Sequence, residues 1–383
     1  LGKTTLDVLT QDYIDAAAAA IEKRRRQQKY RALAQRVGGR DFEASLKALQ
    51  EIGKLGADYR DDIAKLTLRL NERNDRTLDR ALASAGRDHT KARAELEKQR
   101  QTARKHIQGL TKDKKSLARA HDNHHHLTRA LNDRRRELDR LWKALTNTHK
   151  YLSRHRRLVR ILAQLETDAT DYVDADAEKQ LAATVKAAYG ADVDAVAAFP
   201  AAEDKPPSDG ALRELWLYNV NRKIEAYNKA RMRERLTNRG EEENLERLNE
   251  YREALGLRRL ELDARLLQSA RRHSKQMVDL GYFSHTSPKA ETKTFQKRIA
   301  AAGYPRAGGE NIAMGKTDGD AVFWMWFDSP GHHRNMVNHR FRAIGIGRYQ
   351  DHWTQNFGLG PPLVFANADT RKAAAPKGKI VDP

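Results

Sequence analysis

The chain of 383 residues contains no cysteine, which excludes a disulfide framework, a thiolate metal site and a cysteine nucleophile. It also lacks any run of 18 apolar residues, so no segment of it is expected to cross a membrane as a helix. Aromatic residues are scarce at 7% and apolar residues reach only 39%, against 32% charged. A thick core cannot extend along such a chain, and long solvated helices with the core gathered in one part are expected. At this length a single core splits, so at least two parts are expected. The first residue is Leu rather than Met and no signal sequence is visible. A fragment or processed form is expected, with any export signal upstream.

What the chain has in excess is positive charge, a formal +20. Residues 101–160 hold 17 Lys and Arg against five Asp and Glu, whereas the stretch from 241 onward holds 22 against 17. The amino-terminal half is therefore the part that could meet an anionic polymer, a membrane surface or nucleic acid, unless its arginines merely solvate a helix face. Its few aromatics (Tyr13, Tyr30, Phe42, Tyr59, Trp142, Tyr151) and the lack of a base-reading motif argue against nucleic acid. Leu1-Gly2-Lys3-Thr4-Thr5 matches the end of a phosphate-binding loop, but the preceding glycines and strand are missing, so the match is taken as chance.

Periodicity predicts a helix over 6–36, broken by Gly38-Gly39, then a helical hairpin or loose coiled coil over 41–84 interrupted near Gly53 and Gly56. Residues 88–166 contain no proline and only Gly109. The thin seam from Leu127 through Leu131, Leu138, Leu145 and Leu152 to Leu165 suits coiled-coil pairing, and with it self-association. His121, His124 and His125 would share a helical face, a spacing open to a divalent metal or to a polar stretch at a turn through Asp122-Asn123. Residues 167–210 turn acidic and then proline-rich, which marks a linker, and a connecting helix follows over 211–240.

From Glu241 the pattern becomes compact. Helices are predicted over 241–255 and from Leu262-Asp263 to Gly281, with shorter ones around Phe295 and over 321–327. Glu310-Asn311-Ile312-Ala313, residues 341–349 and residues 353–357 read as strands, the last two as an antiparallel pair. This is an α+β arrangement with helices packed on a small sheet. His285 and Glu310 fall in loop-like segments, and His352 precedes Trp353-Thr354-Gln355.

Five motifs in order over 244–358 carry a resemblance: Leu248-Asn249-Glu250-Tyr251-Arg252, Gly281-Tyr282-Phe283-Ser284-His285, Gly309-Glu310-Asn311-Ile312-Ala313, Ser329-Pro330-Gly331-His332 and Trp353-Thr354-Gln355-Asn356-Phe357-Gly358. The segment resembles the CAP superfamily of cysteine-rich secretory, antigen-five and pathogenesis-related-one proteins, in its cysteine-free bacterial branch. That resemblance implies an α-β-α sandwich with a cleft where two histidines and two acidic residues converge, the histidines holding zinc or another divalent cation in some members. Residue by residue it assigns the histidines to His285 and His352 and the first glutamate to Glu310. The second glutamate is missing: Ser329 stands there with Asp328 beside it, and His332 lies a turn further on.

The resulting expectation divides the chain into a basic helical or coiled-coil region (1–166), the linker (167–210), the connecting helix (211–240), a CAP-like domain (241–360) and a disordered basic tail (361–383). The protein would be extracellular or in the cell envelope. Its cleft, formed by His285, Glu310, Asn311, Ser329, His332, His352 and Gln355, would take a small ligand, lipid or peptide, with His285 and His352 as metal ligands. Two other readings of the same residues stay open: a metal-assisted hydrolase in which Glu310 acts as base toward a bound water, and a polar network that only fixes the loops. Phe323, Trp324, Trp326, Trp353 and Phe357 either line an apolar groove or fill the core. His333 and His339 are expected at the surface, and His273 as a helix-packing residue.

Overall fold

The computed structural model describes residues 2–85, 89–165 and 210–366, together with positions 183, 206, 370, 371 and 374. The expected linker and the tail beyond 366 lie, apart from those positions, outside the described residues. The chain divides into two compact units, one of Leu1–Arg87 with Lys143–Ala197, the other of Asp88–Trp142 with Ala198–Pro383. The helical region 1–166 is therefore not one body.

The first unit contains α1 (Gly2–Val37), α2 (Phe42–Gly53) and α3 (Arg60–Ala85). α4 (His89–Gln108) belongs to the second unit, and α5 (Lys114–Leu165) contributes to both. The break between α4 and α5 falls at Gly109, which the sequence singles out as the only glycine of that stretch. In the first unit Leu33, Val37, Leu46, Leu49, Ile52, Ile63 and Leu70 pack with Leu158 of α5. Asp41 caps α2 by accepting from the backbone nitrogens of Glu43 (2.9 Å) and Ala44 (3.2 Å). Arg73 donates to the carbonyls of Val37 and Gly38, closing the turn at which the paired glycines end α1.

The second unit is built on a four-stranded sheet. Its elements follow α6 (Gly210–Arg233) and α7 (Arg239–Ala254) in the order β1 (Glu261–Leu262), α8 (Ala264–Asp279), α9 (Phe295–Ala301), β2 (Ala307–Met314), α10 (Gly319–Phe327), α11 (Pro330–Met336), β3 (Ala343–Tyr349) and β4 (His352–Gly358). Strand order is β1-β3-β4-β2, with β1 parallel to β3 and the other pairs antiparallel. The two-residue β1 is too short to carry a readable period-two pattern, and the sequence reading does not find it.

The alternation along β3 sorts the layers. Ile344 and Ile346 point into a core with Leu245, Leu248, Val322, Phe323, Trp326, Trp353 and Phe357, which belong to α7, α10 and β4. The intervening Gly345 and Gly347 face α8, where an added Cβ would lie 2.0 Å from the Leu266 carbonyl carbon and 2.2 Å from the Arg271 nitrogen. Only glycine permits this approach of helix to strand. The result is the expected α-β-α sandwich, with α8 and α9 on one face and α7, α10 and α11 on the other. Among the aromatics, Phe323, Trp326, Trp353 and Phe357 are buried, so they fill the core and do not line a groove.

The sandwich does not stop at residue 241. Leu96 and Ala103 of α4 and Ala120, Leu127 and Leu131 of α5 belong to the same core. The leucine seam thus serves two cores, that of the sandwich near its start and that of the first unit near its end. α6, expected as a connector, borders β1. Its Asn228 donates to the Leu260 carbonyl (2.9 Å) and accepts from the Leu262 nitrogen (2.9 Å), and its Asn221 accepts from the Arg259 nitrogen (2.9 Å). Asn249 of α7 pairs both backbone groups of Leu260. Residues 361–366, expected in the tail, carry a 3-10 turn whose Leu363 and Val364 nitrogens both donate to the Glu261 carboxylate (2.7 Å each).

The histidines of α5 are not ligands to one ion. His121 bonds Asp328 (2.9 Å) and stacks on Trp324, His124 is buried among aromatic rings, and His125 accepts from Arg129 (3.1 Å). They lie within the helix, not at a turn through Asp122-Asn123.

Replacing Asn228 with Ala leaves the buried Leu262 nitrogen without its side-chain partner, while the Leu260 carbonyl keeps the Asn249 amide. A loss of about 1–3 kcal/mol is expected in denaturant unfolding, with Asn219→Ala on the same helix as the comparison; an unchanged midpoint for Asn228→Ala would remove α6 from the sheet's support.

Candidate functional site

Glu310 sits on β2 opposite Asn356 of β4 and points toward α8 and α9. Its side chain is 1% exposed, so its charge requires partners. Arg298 of α9 supplies most of them, donating to both carboxylate oxygens at 2.8 Å. The same guanidinium donates to the carbonyls of His285 (3.0 Å) and Thr292 (2.8 Å), which ties the 280–294 loop to the carboxylate. That loop leaves α8 through Gly281, whose φ of +62° is a left-handed conformation that glycine adopts without strain.

His285 Nδ1 lies 2.9 Å from Glu310 Oε1. Because an ionised carboxylate can only accept, Nδ1 carries a proton, and in the neutral ring Nε2 keeps its lone pair. His273 of α8, fully buried, places Nδ1 3.3 Å from Glu310 Oε2. In the orientation that satisfies both ends of its amide, Asn356 adds a donor to Oε2 at 3.1 Å. Burial pushes the Glu310 carboxyl up, but the close approach of His273, the bond from His285 and the charge of Arg298 outweigh it and hold it down at about 2. Burial lowers His273, which keeps that ring neutral at pH 7.

His352 opens β4 on the face that carries Asn356 and Glu310, but four residues away along the strand, roughly 13 Å. Its Nδ1 is 2.8 Å from Asp351 Oδ1, and its ring lies edge-on to Phe283 at 6.1 Å. Phe283 and Met314, the residue paired with His352, are both exposed. His285 and His352 thus share one arrangement, Nδ1 bonded to a carboxylate. Among the described residues, no group of three or more His, Asp or Glu side chains is placed to hold a metal ion.

The other expected cleft residues lie elsewhere. Asn311 and Gln355 face the opposite side of the sheet, where the Asn311 amide donates to Gln355 (3.1 Å) and to the His332 carbonyl (3.2 Å), and Gln355 donates to Asn244 (2.8 Å). This buried amide chain braces β2 and β4 against α7 and α11. The half-buried His332 ring is lowered by burial, with smaller contributions from His285 and Lys112. Ser329 precedes α11 without a side-chain cap bond, and Asp328 is taken by His121.

The sequence reading assigns His273 to helix packing, misses Arg298 and Asn356, and places His333 wrongly. His273 shares the buried stripe of α8 with Leu266, Ala270 and Met277, so its pattern is that of a core position. Arg298 is 4% exposed, and nothing in the spacing of a cationic residue announces that. His333 is buried, accepting from Tyr251 Oη (2.8 Å) and donating to the Phe327 carbonyl (2.7 Å). It shares the inner face of α11 with Met336, three residues on. His339 is exposed as expected.

An α-β-α sandwich with a carboxylate-bound histidine beside its edge strand is the class these features define. A family model described as CAP, cysteine-rich secretory protein family, matches residues 245–357, and this part of the chain is a CAP domain. The chain is 36% identical over 119 residues to the uncharacterized protein YkwD of Bacillus subtilis, covering 30% of this chain and 46% of that protein. It is 33% identical over 117 residues to the uncharacterized membrane protein YlbC of the same organism, covering 30% and 34%. The chain thus spans less than half the length of these relatives. Among solved structures, an extracellular SCP-domain protein of Bacillus anthracis shows 35% identity over 32% of this chain and 40% of that one, at a TM-score of 0.30.

Arg298→Met strands a buried carboxylate. Loss of about 3–5 kcal/mol is expected in urea unfolding at pH 7. The Glu310 contribution is present above pH 4.5, the ordinary value, and is lost as pH falls toward about 2. The deficit of the variant should accordingly shrink below pH 4.5; a deficit constant from pH 7 to 2 would show that the ionised Glu310 is not its source.

Proposed function

We propose that the protein acts in the extracellular space or cell envelope as a recognition module that binds a ligand or a divalent cation such as zinc through His285 and His352. The carrying observation is the common arrangement of these imidazoles: each gives Nδ1 to a carboxylate, Glu310 or Asp351, leaving Nε2 as the donor atom. Metal-bound histidines need such an outer partner, so the donor chemistry fits a cation. With no third acidic or imidazole ligand grouped there among the described residues, the remaining coordination positions would go to water or to the ligand. The exposed Phe283 and Met314 offer apolar contact beside His352. The extracellular setting is supported by the description of the Bacillus anthracis relative.

The hydrolase reading has less support. A carboxylate held at about 2 and already accepting from Arg298 and His285 is a poor base at neutral pH. Glu310 is better suited to orienting His285.

For the basic helices we favour attachment to an anionic surface. Arg134, Arg135 and Arg157 are committed to Glu214, Glu253 and Glu43, whereas Lys112, Lys114, Lys115 and Arg119 at the start of α5 are exposed.

Zinc titration of the intact chain by calorimetry should show saturable binding, with His285→Ala and His352→Ala abolishing it, Glu310→Gln weakening it about 10- to 100-fold and His339→Ala leaving it unchanged. Binding that survives both alanine variants, or no binding at all, would sink the cation form of the proposal.

A further inference from the structure

We infer that His124 is an acid-sensitive latch that holds the α4–α5 hairpin against the CAP domain while its ring is neutral and releases the hairpin when the ring is charged. This is independent of the reading of His285 and His352.

His124 is the inward residue of α5 at the seam between hairpin and sandwich. Its ring meets those of Tyr251, Trp324 and Phe327 at centroid distances of 5.2, 4.9 and 5.7 Å. It also lines a small, partly open pocket with His106 of α4, Tyr251 and His333. His124 Nε2 and His106 Nδ1 have no hydrogen-bond partner.

No neighbour is available to stabilise a charged ring. On its own helix His121 is committed to Asp328. Arg247 of α7 adds positive charge, and the nearby Asp320 of α10 is already bound by Arg247 at 2.7 Å and by the Trp324 indole at 3.3 Å. From α11, His333 has both nitrogens occupied, one by Tyr251 and one by the Phe327 carbonyl. From α4, His106 offers only another imidazole. Aromatic faces favour a cation by about 2 kcal/mol or somewhat more in a desolvated site. That is less than the several kcal/mol cost of burying an unpaired charge.

Burial, followed by Arg247 and His121, lowers His124 from 6.5 to about 4. A histidine whose folded value is depressed contributes stability that is fully present above the unfolded value, and this contribution is lost as pH falls from 6.5 toward 4. His333 is likewise held down to about 4 by burial, but its bonds run to Tyr251 and the Phe327 carbonyl within the sandwich; His124 is the depressed imidazole carried by the hairpin itself, and so the group that opens the seam. Release would uncover the flank formed by Trp324 and Phe327.

Hydrogen exchange of the intact chain, corrected for intrinsic rates, tests this. Between pH 7 and 4.5, protection in α4 and in residues 114–131 should fall by about two orders of magnitude, the ratio set by an imidazole that titrates at these two values, while β3 and β4 keep theirs. In His124→Phe, which preserves an aromatic ring without a titrating nitrogen, the hairpin should stay protected across the range. Equal loss in the variant, or loss of strand and hairpin protection together, would overturn the inference. Should that variant fail to fold, the ring resonances of His124 in the unmodified chain decide: titration near 6.5 with the hairpin still protected would equally overturn it.

Discussion

A buried carboxylate that must stay charged organises one side of the sandwich. Glu310 sits inside the protein on an edge strand, and its partners come from α8, α9, the 280–294 loop and β4. Each partner is itself a structural commitment. Arg298 can reach both oxygens only if α9 is packed where it is, and by donating to the His285 and Thr292 carbonyls it fixes a loop that has little core of its own. The short 3-10 turn of Ala290–Thr292 in that loop and the seven-residue α9 carry few buried apolar side chains, so ionic bonds replace hydrophobic burial as their anchor. Removing one member leaves the others charged, buried and unpaired, which is costlier than the pair was favourable.

Much of this architecture is legible in the residues, and the parts that are not share a cause. The alternation of Ile344 and Ile346 with Gly345 and Gly347 announces a strand and, through the glycines, a close approach on one face. Gly281 marks the end of α8. His285 and Glu310 can be paired by resemblance, and they are in contact. What periodicity cannot convey is which polar residue is buried: Arg298 and His273 look like ordinary members of amphipathic helices, and His333 sits inside because a short helix turns it inward. The split of Asn311 and Gln355 from Glu310 follows from the period of two along β2 and β4, since neighbours on a strand face opposite sides. Residues adjacent in a motif are therefore not adjacent in a site.

The boundary between the halves of the chain is the largest difference from expectation. Composition places it at the acidic, proline-rich stretch after 166, whereas packing places it within α5, between Trp142 and Lys143. The reason is that the leucines of a long helix look alike whichever core receives them. Leu127 and Leu131 complete the sandwich, and Leu158 completes the other unit. Arginines that look like a solvated surface are tied down within the second unit: Arg135 and Arg259 both bind Glu253 at 2.6 Å, and Arg134 binds Glu214 at 2.7 Å. Part of the high positive charge of the amino-terminal half is thus internal structure.

The asparagines flanking β1 have a counterpart on the far edge of the sheet, where Asn335 donates to the Glu310 carbonyl (3.2 Å) and the Trp326 indole to the Ile312 carbonyl (3.1 Å). Side-chain amides and an indole therefore stand where a fifth and a sixth strand would dock. Edge strands left open invite pairing with other chains; here the Leu260 carbonyl and Leu262 nitrogen on one edge and the Glu310 and Ile312 carbonyls on the other are already engaged. A strand added at either edge would first have to displace these side chains.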